Sequence, residues 1–468
     1  MRRRTLVKGL VAAGLVGFAH RTGAWGAANE VFAVQADTES GNAGGSQPGS
    51  APEVLGRAGP CVPLLDGAQL ERMRVGIGFG AVLRDHPAAT ASADASLAAE
   101  AVPYEEPLRR AADRALAAGP FSVMDKTTVA PSGDPHDYYS VGPYWWPNPD
   151  TPDGLPYVQR DGEFNPSFRD NTYDFTALDQ MTKSVGTLAV AFYLTGDARY
   201  AAHAARLIRT WFLDPATCMN PNMRYSQTVP GRPGERGTGI IDGRQLMAVA
   251  EAAVLLGATP WSIEDGAQVG SGPPAWSEMD DAALRAWFGA LIDWLQKSAA
   301  GQAEARAENN HGSWYAAQVA AYALYARQEP LARQMAAERG PALIASQIAP
   351  DGRQPRELVR TRPFHYSAFN LEALTALALI GGEVGVDLWR YETPDGRGLR
   401  AALDYLVPFA TDAAPWPYPD RDFDGRALAP LLARAARVYP DAGYAALVPQ
   451  AFPDATPLQQ LYLRLGVW

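Results

Sequence analysis

Residues 178–211, LDQMTKSVGTLAVAFYLTGDARYAAHAARLIRTW, decide the fold class of this chain. Large and small apolar residues recur along the stretch every three or four positions. They are Leu178, Met181, Val185, Leu188 and Phe192, followed by Tyr200, Ala204, Leu207, Ile208 and Trp211. This spacing matches one face of an α-helix. Asp197 lies between the two runs and is a residue type that caps helix N-termini, so the stretch predicts two consecutive helices.

The same helical spacing continues through most of the chain. It begins near Pro103, after a soft stretch at 88–101, and alternating β patterns are scarce. Further helices are predicted near 242–256, 278–298, 312–327, 330–348, 366–381, 396–409 and 425–438. Ser277-Glu278-Met279-Asp280 has the form of a capping box before one of them. Helices of this length without heptads or a fixed sequence repeat predict an all-α fold. The preferred architecture is an incomplete (α/α) toroid of antiparallel helical hairpins, with long functional loops at 131–175 and 215–241.

Composition excludes several classes of protein. The 468 residues are 47% apolar and 20% charged, which is an ordinary globular balance. A formal charge of −10 argues against a general nucleic-acid binder, because such a protein needs a basic face. Two cysteines, Cys61 and Cys218, cannot build a thiolate metal cluster and leave either one disulfide or two thiols. No Gly-rich phosphate loop follows a strand, and no cofactor is expected.

The N-terminus predicts export. Arg3 and Arg4 precede a short apolar run, 10–19, and small residues follow near 26–28. This pattern resembles a twin-arginine export signal over residues 1–28, and the apolar run is short for a membrane-spanning anchor. We therefore expect a periplasmic or secreted protein without stable membrane insertion after signal removal. Residues 29–55, rich in Gly, Ser, Ala and Pro, are predicted to be a flexible linker, and 56–468 to be the folded domain.

The first long loop contains an unusual density of aromatic residues. Residues 136–147 read HDYYSVGPYWWP, with five aromatic rings in nine positions among prolines and glycines. Such rings stack on the apolar faces of sugars, or they fill a core from a loop. For any single ring the core role is about as probable as the sugar-binding role.

Two other segments combine residues with catalytic potential, and each precedes a predicted helix. The first, 309–315, reads NNHGSWY; its simpler interpretation makes one asparagine an N-cap and His311 a polar first-turn residue. The second, 356–366, reads RELVRTRPFHY; its simpler interpretation is a solvated basic turn followed by a core tyrosine.

Together these segments resemble the alginate lyase domain family over roughly residues 100–410. The matching elements are the Tyr-Trp-Trp-Pro loop, Gly-Ile-Ile-Asp at 239–242, the Asn-Asn-His segment and the Arg-to-Tyr segment. His311 and Tyr366 are 55 positions apart, about as in that family, whereas Arg360 precedes Tyr366 by six positions, one fewer than expected. The resemblance implies catalytic roles for Tyr366, His311, Asn310 and Arg360. It implies substrate binding by Tyr139, Tyr144, Trp145, Trp146, Trp314, Arg362 and His365.

The resemblance also implies a reaction, β-elimination on a β-1,4-linked uronate polymer such as polymannuronate or glucuronan. The C5–H bond is barely acidic beside a charged carboxylate, so the carboxylate must be neutralised, and Asn310 and Arg360 have suitable donors. In mannuronate and glucuronate the C5 proton and the C4 oxygen lie on one ring face, so Tyr366 could serve as both base and acid. His311 is a second candidate base. Neighbouring arginines are expected to lower the pKa of Tyr366.

Three alternatives stay open at this stage. An inverting glycoside hydrolase on an α/α barrel needs two opposed carboxylates, and Asp242, Glu251 and Glu308 are available but unpatterned. A non-catalytic polysaccharide-binding protein would need only the aromatic loop. A metal-dependent lyase is disfavoured because the histidines show no paired ligand spacing. The sequence does not separate one uronate polymer from another.

Overall fold

The computed structural model describes residues 59–85, 93–258 and 275–466. They belong to one unit, Leu55–Trp468. The predicted export signal at 1–28 and linker at 29–55 lie outside the described residues. Within the described ranges, none of the helices is both long enough and apolar enough to cross a membrane.

Helices dominate the described residues and account for most of the core. In chain order they are α1 Gly67–Asp85, α2 Ala93–Leu116, α3 Phe175–Thr195, α4 Ala198–Ile208, α5 Met247–Gly257, α6 Glu278–Lys297, α7 Ala299–Ala305, α8 Asn310–Tyr325, α9 Glu329–Gln334, α10 Gly340–Gln347, α11 Pro355–Leu358, α12 Pro363–Glu383, α13 Leu399–Ala410, α14 Ala429–Val438, α15 Tyr444–Ala451 and α16 Pro457–Leu465. Four short strands are β1 Tyr139–Val141, β2 Trp145–Trp146, β3 Val158–Gln159 and β4 Tyr225–Thr228.

Local sequence signals set several helix starts as predicted. The Asp197 carboxylate accepts the Arg199 backbone N–H at the start of α4, at 3.0 Å. At the start of α6 the Ser277 hydroxyl accepts the Asp280 N–H while the Asp280 carboxylate accepts the Ser277 N–H, which is a complete capping box. These bonds satisfy backbone donors that the first helical turn leaves without partners.

The N-terminal part of the fold departs from the prediction. Helix α2 begins at Ala93, inside the stretch predicted to be soft, and α1 precedes it. Alanine has the highest helix propensity, so an Ala-rich segment without large apolar residues still forms helix when it packs on a neighbour. Here the neighbour is α1, which packs along α2.

Helices pack mainly on neighbours in the sequence, which builds the predicted architecture. Helix α3 contacts α2, α4 and α5, and α8 contacts α6 and α12. Helix α12 continues the series to α13 and α14, and α16 contacts α1, α2 and α14. The all-α class and the incomplete (α/α) toroid are therefore confirmed.

The long loops between these helices contain the strands. Strand β1 pairs in parallel with β4, and β2 pairs with β3 in antiparallel fashion.

Cys218, at the base of the second loop, is a partly buried thiol without a disulfide. The disulfide with Cys61 that export would permit is therefore not formed, and the Cys61 thiol donates to the Glu383 carboxylate instead.

Candidate active site

A buried carboxylate anchors the two strand-bearing loops to the helical body. Asp242 is 1% exposed and accepts hydrogen bonds from the Tyr138 hydroxyl, the Ser140 hydroxyl and the Gln227 amide, at 2.7–3.1 Å. Burial raises the pKa of Asp242, and the three donors offset part of that cost. Gly239 packs closely on Ser226. A Cβ added to Gly239 would lie 2.0 Å from the carbonyl oxygen of Ser226. The Gly-Ile-Ile-Asp element thus holds the loops in place.

The first loop brings an aromatic hydroxyl to the start of α12. The hydroxyl oxygens of Tyr144 and Tyr366 are 2.8 Å apart and share a hydrogen bond. The Arg360 guanidinium lies over the Tyr366 ring, with Cζ 3.8 Å from the ring centroid. Asp161, also on the first loop, accepts from Arg360 Nη2 at 2.7 Å and from Nε at 3.4 Å. Loop and helix therefore meet around the predicted catalytic tyrosine.

The pKa of Tyr366 differs from the expectation based on its arginine neighbours. Burial raises it well above the ordinary value for tyrosine, and the Tyr144 hydroxyl raises it further. Arg360 lowers it, but by less than burial raises it, because Tyr366 is only 6% exposed. The predicted net lowering was wrong, and in the resting protein Tyr366 is a neutral phenol that can donate a proton.

A second carboxylate orients the predicted catalytic histidine. His311 follows the N-cap of α8, Asn309, whose side chain accepts the His311 backbone N–H at 3.3 Å. Its ring nitrogen Nδ1 lies 2.6 Å from Glu304 Oε1, and Glu304 is 2% exposed. Because a carboxylate only accepts, Nδ1 of His311 is the donor in this bond, and in the neutral form of the ring Nε2 presents its lone pair.

Asn310 is held by a third carboxylate. Its backbone N–H donates to Glu357 Oε1 and its side-chain amide to Glu357 Oε2, both at 2.7 Å. Asn310 and Glu357 are each 1% exposed, and burial raises the pKa of Glu357. One amide N–H of Asn310 is therefore committed to Glu357, and only the other remains for a substrate.

His311 and Arg360, together with their carboxylate partners Glu304 and Asp161, border one cleft of about 600 Å³. It is lined by Gln159, Asp161, Gly237, Thr238, Glu304, His311 and Arg360, among others. A second cavity of about 550 Å³ shares two of its lining residues, Gly237 and Ala303, and is also bordered by Arg224 and Glu235. His311 and Arg360 therefore face the same space, and that space continues along the second loop.

Three rings of the first loop that are predicted to bind sugar, those of Tyr139, Trp145 and Trp146, differ from one another in their contacts. Tyr139 is partly exposed and contacts the Tyr173 ring edge-on at 5.1 Å. Trp146 donates from its indole N–H to the Glu163 carbonyl at 2.9 Å. Trp145 is half-buried, and two guanidiniums lie over its ring. These three rings are therefore only partly buried, and Trp145 contacts arginines rather than open space.

Three further binding residues lie deeper or elsewhere than predicted. Trp314 is 2% exposed and packs on Phe369 in the helical core, which leaves its ring little surface for the predicted contact with substrate. Arg362 lies 3.5 Å from Asp422 and is absent from the described lining of the cleft. His365 stacks on Phe369, and burial together with nearby arginines lowers its pKa to about 4, which keeps it neutral.

The carboxylates that a hydrolase would need do not face each other. Asp242 is buried beneath the loops, and Glu251 accepts backbone N–H groups from Leu64 and Leu65. Glu308 is exposed and pairs with Arg356 at 2.6 Å. Three other carboxylates are bonded to the predicted catalytic residues: Glu304 and Asp161, which line the cleft, and the buried Glu357. Sequence reasoning missed all three, since their partners are set by the fold.

Comparisons with known proteins agree with this geometry. The sequence model of the alginate lyase family matches residues 122–416. A crystal structure of an alginate lyase from Bacteroides ovatus is 34% identical, with a TM-score of 0.75, and the match covers 87% of this chain and 99% of that chain. Alginate lyase A1-III from Sphingomonas species A1 is 16% identical over 66% of this chain and 80% of its own, with a TM-score of 0.43. No curated protein matches the sequence.

Proposed function

Since this chain belongs to the alginate lyase family and is a polysaccharide lyase, we propose that it cleaves a β-1,4-linked uronate polymer by β-elimination. Polymannuronate and glucuronan are the candidate substrates. The observation that carries the proposal is the common cleft of His311 and Arg360, with the Tyr366 phenol directly beneath Arg360. A base and a cation thereby face one space, and the acid lies against the cation, which are the groups that the reaction requires.

The first task of the site is to neutralise the carboxylate beside C5. Asp161 engages Nε and Nη2 of Arg360, so Nη1, which has no hydrogen-bond partner among the described residues, is the donor for the substrate. The second amide N–H of Asn310 is a further donor from the opposite segment. Both residues are held by carboxylates before substrate arrives, so little reorganisation is needed as enolate charge develops.

The second task is proton transfer. In the arrangement favoured by the structure, His311 Nε2 removes the C5 proton while the Tyr366 phenol protonates O4 as the C4–O4 bond breaks. The electron pair of the C5–H bond forms the C4–C5 double bond. The raised pKa of Tyr366 supports the acid role, and the Glu304 carboxylate supports the imidazolium that forms on His311. A single tyrosine acting as both base and acid is the competing arrangement.

The decisive experiment is a panel of purified polymers assayed by the ultraviolet absorbance of the new double bond. Polymannuronate and glucuronan are the test substrates, and a neutral β-1,4-glucan is the control. We expect absorbance to rise with at least one uronate polymer and not with the glucan. New reducing ends without added absorbance would indicate hydrolysis and would overturn the proposal.

We also propose that the protein is exported by the twin-arginine route. The support is the paired arginines before a short apolar run in the first 28 residues. Replacing Arg3 and Arg4 together by lysine should retain the protein in the cytoplasm of the producing cell. Unchanged export of that variant would contradict this route.

A further inference from the structure

Two arginines of the second loop stack on the same tryptophan of the first loop. The guanidinium carbons of Arg232 and Arg236 lie 4.7 and 5.1 Å from the centroid of the Trp145 ring. Both contacts are within the range of cation–π attraction, which holds the planar guanidiniums against the indole. Trp145 therefore serves as a platform that keeps two positive charges together.

Among the described residues, no carboxylate is in direct contact with either arginine of this pair. Within the same part of the chain, the one side-chain hydrogen bond of Arg236 goes to the Gln227 carbonyl at 3.2 Å. Burial and the nearby Arg232 charge lower the pKa of Arg236. By contrast, Arg224 on the same loop has Glu235 at 3.0 Å. In an acidic protein, two adjacent cations without a carboxylate favour an anionic ligand.

The pair is adjacent to the cleft. Two residues that line the cleft, Gly237 and Thr238, directly follow Arg236 in the sequence. A third lining residue, Gln159, pairs with Trp145 in the two-stranded sheet. Arg236 also interacts electrostatically with Glu304, another lining residue. The pair belongs to the second loop, and among the described residues neither arginine has a hydrogen bond or ion pair with Tyr144, Asp161, Arg360 or Tyr366. It is therefore separate from the cation that serves the reacting sugar.

We propose that Arg232 and Arg236, stacked on Trp145, bind the carboxylate of a second uronate residue of the same polymer. The proposal rests on the proposed function and extends it to a specificity for adjacent uronate residues. Two guanidiniums present the planar donor pairs that match a carboxylate, which a neutral sugar could not use. A polymer in which uronates alternate with neutral sugars would leave either this pair or Arg360 without a carboxylate.

The test compares two double variants with the same change in charge. Arg232→Gln with Arg236→Gln removes the pair. Arg199→Gln with Arg390→Gln removes two exposed arginines that pair with Asp197 and Asp387 and are not among the residues that line the cleft. With polymannuronate, or with glucuronan if only that is cleaved, we expect the first variant to raise KM by about tenfold or more with kcat nearly unchanged. The control should change KM by no more than about twofold, since rim charges act mainly through screened long-range attraction. Equal KM values for the two variants would overturn the proposal.

A binding measurement separates this proposal from the proposed function. The dissociation constant of a mannuronate oligomer is measured by calorimetry for the unmodified protein and for both double variants. If no polymer is cleaved, the proposed function fails. In that case the inference stands if the oligomer binds to the unmodified protein and if binding is weakened by the loss of Arg232 and Arg236 but not by the control substitutions. If the glutamine variant does not fold, Arg232→Lys with Arg236→Lys keeps the charge and removes the planar donors, and an unchanged dissociation constant there would also refute the proposal.

Discussion

Replacing Glu304 by glutamine tests how the fold prepares His311 for catalysis. The carboxylate lies 2.6 Å from His311 Nδ1 and is 2% exposed, so the bond is short and shielded from water. A hydrogen bond to a charged group contributes about 1.5–3 kcal/mol, and this one strengthens as His311 takes a proton. That energy corresponds to a fall in kcat of about 10- to 150-fold. KM should change little, because the bond supports the transition state rather than substrate binding.

The assay is the initial rate of double-bond absorbance on the best substrate over a range of pH. Glu308→Gln is the matched control, since Glu308 lies four positions away, is exposed and pairs with Arg356. A kcat within threefold of the unmodified protein would refute the positioning role of Glu304.

Three other variants probe separate parts of the account. Tyr144→Phe removes the hydroxyl bonded to Tyr366, so kcat should fall by roughly 3- to 10-fold, the size of one neutral hydrogen bond, and full activity would contradict that contact. Burial raises the pKa of Glu251 to about 8, so the folded protein holds a proton that the unfolded chain loses above about pH 4.5. The free energy of unfolding should therefore fall as pH rises from about 5 to 8. Urea unfolding of Glu251→Gln should show a flatter pH dependence, and an equally steep one would exclude Glu251 as the cause. Trp314→Phe should lower the melting temperature and leave KM unchanged, and a raised KM with normal stability would return that ring to substrate binding.

Patterns within a few residues were sufficient to predict much of the structure. Helical spacing predicted α3 and α4, and the cap residues Asp197 and Ser277 predicted where two helices begin. The Asn-His and Arg-Tyr segments were identified because each combines unusual residue types over a short span. All of these signals depend on neighbours along the chain, which a sequence shows directly.

Features that depend on contacts between distant segments could not be predicted. The bonds from Glu357 to Asn310 and from Asp161 to Arg360 join residues 47 and 199 positions apart. The family resemblance implied substrate binding by Trp314, but the face of α8 that carries this residue packs against α12. The pKa of Tyr366 was misjudged for a similar reason, since its burial is a consequence of tertiary packing and outweighs the charge of Arg360.

The most direct test of the central claim is the turnover of Tyr366→Phe on the best uronate polymer. The change removes one hydroxyl and keeps the ring beneath Arg360, so folding should be preserved, which circular dichroism can verify. If this hydroxyl protonates the leaving oxygen, kcat should fall by about 10²–10⁴-fold. A folded Tyr366→Phe protein that retains nearly full turnover would contradict the assignment of Tyr366 as the catalytic acid.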